Sequence, residues 1–154
     1  MKKIAVESAP TRFGSRYPAP FDAECQGRRR WCLGDAAGLT QFGVNLLRLP
    51  PGQWSSQRHW HAREDEFVYV LEGEVVLVTD AGEETLRAGD CAGFKAGVSD
   101  GHHLQNRSGR EAVLLEVGTR DPKGDAATYP DIDLILPGSG AGYAHKDGSP
   151  YPKG

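Results

Sequence analysis

The segment Gly52-Gln-Trp-Ser-Ser-Gln-Arg-His59-Trp-His61-Ala-Arg-Glu-Asp-Glu66-Phe-Val-Tyr-Val-Leu-Glu-Gly73 sets two imidazoles and a carboxylate beside a run of β-branched and aromatic residues. On an extended strand, side chains at i and i+2 point the same way, so His59 and His61 project together while Trp60 faces away. On a helix they would diverge by roughly 200°, because each residue turns about 100°. Only the strand lets both rings reach one point. Glu66-Phe-Val-Tyr-Val-Leu reads as the next strand, and Ala62 to Asp65 supplies a turn that folds Glu66 back toward the histidines. Neutral imidazole and carboxylate are ordinary ligands of divalent first-row metals.

On either side of this segment the chain alternates short apolar runs with turn signals. Upstream, Leu39 to Leu49 reads as a strand that stops at Pro50-Pro51, with Gln41, Gly43 and Asn45 sharing a face with Leu47 and Leu49. A face that changes from apolar to polar along its length suits the interior of a barrel near a pocket. Downstream, Val75–Thr79, Glu83–Arg87, Cys91–Phe94, His102–Asn106 and Glu111–Val117 are separated by Gly- and Asp-containing turns. Seven or more strands in hairpins, with no sustained helical period, predict an all-β double-sheet jelly roll or small barrel. Beyond Thr119, Tyr129 to Pro137 reads as one more strand. Residues 138–142 form a link, and Lys146-Asp-Gly148 is the turn of a terminal hairpin.

From His59 to Gly73 the spacing is His-x-His, four residues, Glu, six residues, Gly, which resembles the first motif of the cupin superfamily. Gly89-Asp-Cys-Ala-Gly-Phe-Lys-Ala-Gly97-Val-Ser-Asp-Gly-His102-His103-Leu-Gln-Asn106 resembles the second. There Lys95 stands where proline is usual, and four residues rather than two separate Gly97 from His102. The fifteen-residue spacer between Gly73 and Gly89 is similar to that of compact bacterial members, including those described as sugar-phosphate isomerases. The resemblance implies a cupin double-stranded β-helix over residues 41–118. An N-terminal arm (1–40) would pack on it, and a strand and hairpin extension (119–154) would follow. It further implies one divalent transition metal held by His59, His61, Glu66 and His102. The separation from Asn106 selects His102, and the insertion after Gly97 leaves His103 as the alternative. Zn, Fe, Mn, Ni and Cu all accept imidazole, so the ligand set does not name the ion.

With 154 residues the chain suits one domain, and 20 glycines with 10 prolines favour strands and turns over a helical bundle. A net charge of −3 and the lack of any helix-turn-helix or zinc-finger pattern argue against a nucleic-acid partner. No apolar run is long enough for a membrane span, and Ile4-Ala-Val6 is too short for a signal peptide. Cys25, Cys32 and Cys91 form no Cys-x-x-Cys pair, which fits reduced thiols and a cytoplasmic protein. The arm carries Phe13, Tyr17 and Phe21 among prolines, so it is expected to dock on the barrel or on the second subunit of a homodimer. Arg28-Arg29-Arg30 reads first as a solvated strand end and second as an anion site. Trp54, Trp60 and Phe94 read as core aromatics or pocket walls, and His145 as a surface residue.

Three histidines and one glutamate leave one or two positions of an octahedral ion for substrate. Two classes of function follow. One is a metal-dependent enzyme on a small polar or anionic molecule, either a sugar-phosphate isomerase or a non-haem iron dioxygenase. The other is a ligand-binding or sensory protein without turnover. The carboxylate-plus-three-imidazole set leaves fewer open positions than many oxygenases use, which ranks isomerase-type chemistry first. Arg58, Lys95 and the Arg28–Arg30 run are the candidates for holding an anionic group.

Overall fold

The computed structural model describes residues 3–138, 140 and 142–151. Its strands are β1 (Thr11–Phe13), β2 (Arg29–Cys32), β3 (Phe42–Leu49), β4 (Trp60–His61), β5 (Glu66–Glu72), β6 (Glu74–Thr79), β7 (Gly82–Arg87), β8 (Cys91–Phe94), β9 (His103–Gln105), β10 (Ala112–Thr119), β11 (Ala127–Tyr129) and β12 (Leu134–Leu136). The only α-helical turn among the described residues, α1, spans Leu33–Ala36. One antiparallel sheet has the order β1-β2-β3-β10-β5-β8, a second β7-β6-β9, and a third β12-β11-β4. Bridges between Trp54 and Gln105 and between His59 and His102 tie the chain leading into β4 to β9. The first and second of these sheets face each other as the layers of a jelly roll.

Alternation along the strands builds the core. Leu47 and Leu49 of β3, Val68 and Val70 of β5, and Ala112 and Leu114 of β10 meet Val75, Leu77, Leu86 and Leu104 from the opposite sheet in one buried cluster. Each such side chain contributes roughly 1.5–3 kcal/mol by leaving water. The same inward faces turn polar toward one end. Leu47 is followed outward by Asn45 and Gly43, Val68 by Glu66, and Leu114 by Glu116 and Gly118. The register sets these positions side by side: Leu114 lies opposite Leu47, Glu116 opposite Asn45 and Val68, and Gly118 opposite Gly43 and Glu66. The site is therefore the polar continuation of the core.

Turn glycines hold these strands in place. Gly73, between β5 and β6, has φ 76°, and a Cβ there would stand 2.9 Å from the Glu111 carbonyl oxygen, so no other residue fits. Gly97, φ 77°, donates its N–H to the His61 carbonyl at 2.9 Å and so fastens the end of β8 beside β4.

Both terminal segments join the fold. Tyr17 is buried against Tyr129 and Tyr143, with ring centroids 5.7 and 5.3 Å apart, and Phe21, Trp54 and Tyr151 pack around the same cluster. The arm also contributes the edge strand β1 and its neighbour β2 to the large sheet, more structure than an extended docking segment. The single strand expected from Tyr129 to Pro137 is instead a hairpin. Pro130 cannot donate to a ladder, and a turn over Pro130–Asp133 folds β12 back on β11. The solvated reading of Arg28–Arg30 holds for Arg29 alone. Because Arg30 pairs opposite Leu47, it and Arg28 share the inward face and are buried or half-buried. The terminal hairpin forms as expected, with Ala144 bridging Pro150.

Candidate metal centre

His59 and His61 leave the same face of the chain entering β4, and Glu66 begins β5 after the turn at residues 62–65. Nε2 of His59 lies 3.7 Å from Glu66 Oε2, Nε2 of His61 lies 3.6 Å from it, and Nε2 of His102 lies 2.8 Å from it. Ligand atoms of His59, His61 and Glu66 all fall within 4.8 Å of one another. Neighbouring donors around an octahedral ion with bonds near 2.1 Å are about 3 Å apart, which these separations bracket.

Proton positions sharpen the fit. His59 Nδ1 faces the Gln57 carbonyl at 2.8 Å, which can only accept, so the ring proton sits on Nδ1 and the Nε2 lone pair points inward. His61 Nδ1 donates in the same way to Asp125 Oδ2 at 2.6 Å. In this tautomer two imidazole nitrogens aim at a carboxylate oxygen that is also an acceptor, a donor set that suits a cation at its centre. His102 Nε2–H donates to Glu66, while its Nδ1 is buried without a partner among the described residues.

Burial depresses the His59 pKa to about 4, the nearby His61 and His102 rings adding to an effect that Glu66 only partly offsets. Burial opposes the charge on His61 too, yet Glu66 and Asp125 outweigh it and raise its pKa above the ordinary histidine value. For Glu66, burial favours the neutral acid, but the hydrogen bond from His102 and the three rings prevail and hold the carboxyl at about 2. The carboxylate is ionised across the physiological range.

The cluster lies on a cavity of about 830 Å³ whose wall also includes Asn45, Glu64, Tyr129 and the arginines Arg12, Arg28, Arg30 and Arg120. Tyr129 stacks on His59 at 5.5 Å and Phe94 on His102 at 3.6 Å, fixing both rings. Asp125, which sequence reasoning missed, is the outer partner of His61. Its second oxygen accepts from the backbone N–H groups of Arg63 and Glu64, at 2.8 and 3.2 Å. No motif marks Asp125, which reaches His61 because β11 pairs with β4. Glu64 lies beside His61 and Asp125 and also lines the cavity; burial raises its pKa.

Other expected residues lie elsewhere. His103 is buried on the opposite face, its Nδ1 donating to the Ser56 carbonyl at 3.0 Å and its ring against Trp54. Asn106 knits a turn, donating to the carbonyls of Leu49 and Arg110 at 2.7 Å each. Arg58 does not face the large cavity. Asp131, Asp80 and the Gly101 carbonyl take up its guanidinium, so it braces the insertion after Gly97. Exposed Lys95 and half-buried Trp60 line a separate opening of about 220 Å³ beside His61 and His102. Trp54 belongs to the aromatic cluster, and His145 stacks on Tyr151 outside the site.

Residues 45–118 match the cupin domain model. A sugar phosphate isomerase of the cupin superfamily from Silicibacter pomeroyi is 48% identical, with a TM-score of 0.91 over 98% of this chain and 97% of that one. A protein proposed to be a sugar phosphate isomerase, from Acidithiobacillus ferrooxidans, is 31% identical, with a TM-score of 0.70 over 76% of this chain and 74% of its own. The polyketide cyclase RemF of Streptomyces resistomycificus shares the fold at 22% identity, with a TM-score of 0.64 over 79% of this chain and 80% of its own. No curated protein matches the chain.

Proposed function

The chain belongs to the cupin superfamily, and we propose that it is a metal-dependent enzyme acting on a small anionic substrate, with sugar-phosphate isomerisation as its reaction. One observation carries the reading. The Nε2 lone pairs of His59 and His61 and the Glu66 carboxylate converge at one end of a cavity large enough for a phosphorylated sugar. His59, His61, Glu66 and His102 would hold the ion. A divalent cation bound there supplies Lewis-acid polarisation of a substrate carbonyl or alkoxide.

The chain's own residues would do the rest. Asp125 keeps His61 in the tautomer that presents Nε2, and Gln57 does the same for His59. Glu64, whose Oε1 accepts from the Asp121 N–H at 2.6 Å, is a cavity carboxylate with no arginine partner among the described residues, and its raised pKa suits a group that takes a proton from the carbon beside a carbonyl and returns it. Arginines on the cavity wall favour an anion. Isomerase chemistry is also the activity named for the relative from Silicibacter pomeroyi.

A homodimer and a cytoplasmic location belong to the same reading. The outward side chains Phe67, Tyr69 and Leu71 of β5 are each about 40% exposed and offer an apolar face to a second copy. Cys25, Cys32 and Cys91 are free thiols. The test is to load metal-free protein with Mn(II), Zn(II), Ni(II) or Fe(II) and offer sugar phosphates, with and without oxygen. Interconversion of aldose and ketose phosphates, lost by about 10²-fold or more in Glu64→Gln at unchanged metal content, is expected. Substrate-dependent oxygen uptake confined to the Fe(II) form would instead identify an oxygenase, and no turnover with any ion a binding protein.

A further inference from the structure

Arg30 on the inward face of β2 and Arg28 just before that strand, two residues apart, lie on the cavity wall with one carboxylate between them. Glu116 takes Arg30 in a two-pronged pair at 2.6 and 2.7 Å. Arg28 is only 8% exposed and has no acidic partner among the described residues. Its Nε donates to the Gly14 carbonyl at 2.9 Å, its Nη1 to the Ser55 carbonyl, and its guanidinium lies 5.7 Å from the centre of the Tyr17 ring. Nη2 has no acceptor among the described residues, and a buried cation without a counter-charge is costly unless something supplies one. Burial and the neighbouring Arg30 both act against its charge.

The register extends the pattern. Arg12 of β1 lies directly across from Arg30, and Arg12 shares Asp35 with Arg120, at 3.3 and 2.5 Å. With Arg16, five guanidinium groups on the cavity wall thus have two carboxylates, Asp35 and Glu116, in ion pairs among them, while Glu64 and Glu66 lie with the histidine cluster. Ser15, on the same wall, has a buried hydroxyl without a partner among the described residues.

We propose that the inward face of the β1–β2 ladder, centred on Arg28 and flanked by Arg12 and Ser15, is an oxyanion site that holds the phosphate group of a phosphomonoester substrate. A surplus of guanidinium groups over their paired carboxylates matches a phosphate dianion better than a single carboxylate, and Nη2 of Arg28 supplies directed donors. The site shares its cavity with the histidine cluster, so a ligand anchored here would present its remaining oxygens to that cluster. This assignment rests on the cavity being the substrate site.

The experiment is calorimetric titration of the full chain with inorganic phosphate, metal-free and Mn(II)-loaded. Phosphate is expected to bind both forms. Arg28→Gln should weaken binding about tenfold to hundredfold, as for loss of charge-assisted hydrogen bonds, with metal content unchanged. Arg29→Gln, whose side chain lies on the outer face over Phe13 and Trp31, should bind as wild type. Acetate at equal concentration should not displace phosphate. Equal affinity in Arg28→Gln, displacement by acetate, or binding that requires the metal and vanishes in His59→Ala would each overturn the assignment. Should Arg28→Gln fail to fold, the Arg28 Nε–Hε resonance of wild-type protein must move on phosphate addition, and a signal that stays fixed is equally fatal. Phosphate binding through Arg28 without metal uptake would leave the oxyanion site standing and sink the metal reading.

Discussion

His59 and His102 exchange both backbone hydrogen bonds, His59 N–H to the His102 carbonyl at 3.1 Å and His102 N–H to the His59 carbonyl at 2.9 Å. Residues paired in this way stand directly opposite and send their side chains to the same face. His102 therefore faces Glu66 with His59, and His103 faces away. The four-residue segment between Gly97 and His102, two residues longer than usual, is held from outside by Arg58 on the Gly101 carbonyl and by Asp100, which accepts from the Asp80 N–H at 2.7 Å.

From that pairing, His102→Ala should weaken divalent-metal binding by more than the ~10–100-fold typical of losing an outer partner, and His103→Ala should leave it unchanged. Competition against a chromophoric chelator measures both. Loss in His103→Ala with retention in His102→Ala would show that the strand runs one residue out of the register described.

Asp125→Asn should lower metal affinity about 10–100-fold while the fold is kept, because the amide no longer fixes the His61 ring with Nε2 facing inward. The same chelator assay reads it, and circular dichroism checks the fold. An affinity equal to wild type would mean that His61 is held by its neighbours alone.

The histidine cluster was readable because its signal is local. Two imidazoles at i and i+2 and a carboxylate after a four-residue turn fix their relations within eight residues. The strands from Leu39 to Val117 were readable from alternation, with ends shifted by a few residues. Arg28 and Arg30 were not, since a run of three arginines looks solvated until β2 pairs with β3 and places Arg30 opposite Leu47. Asp125 lies 64 positions from His61 in a stretch without a motif, and only the pairing of β11 with β4 brings the two together. The turn after Tyr129 carried a usable signal in Pro130-Asp131, outweighed by the apolar residues that follow it.

In metal-free protein, acid should destabilise the fold through this cluster. His59 has a folded pKa of about 4, below its unfolded value near 6.5, so the unfolded chain binds the extra proton between those values and stability falls as pH drops through them. The contribution is as much as ~3 kcal/mol at about 1.4 kcal/mol per unit. Glu66, depressed to about 2, contributes stability above pH 4.5 that is lost as pH falls toward 2. His61 acts in the opposite sense: its raised pKa contributes stability below about 6.5 that fades as pH rises through the folded value. Urea unfolding with chelator present should give a lower midpoint at pH 4.5 than at pH 6.5, and His59→Gln should reduce the difference. A difference unchanged by that substitution would place the acid sensitivity elsewhere.

His59, His61, Glu66 and His102 are proposed to hold one divalent ion together. Elemental analysis of protein stripped with chelator, reloaded with Mn(II), Ni(II) or Zn(II) and freed of excess ion tests this most directly. About one ion per chain is expected in wild type, falling to a small fraction in His59→Ala and His61→Ala. No stoichiometric ion in wild type, or the same stoichiometry in both variants, would contradict it.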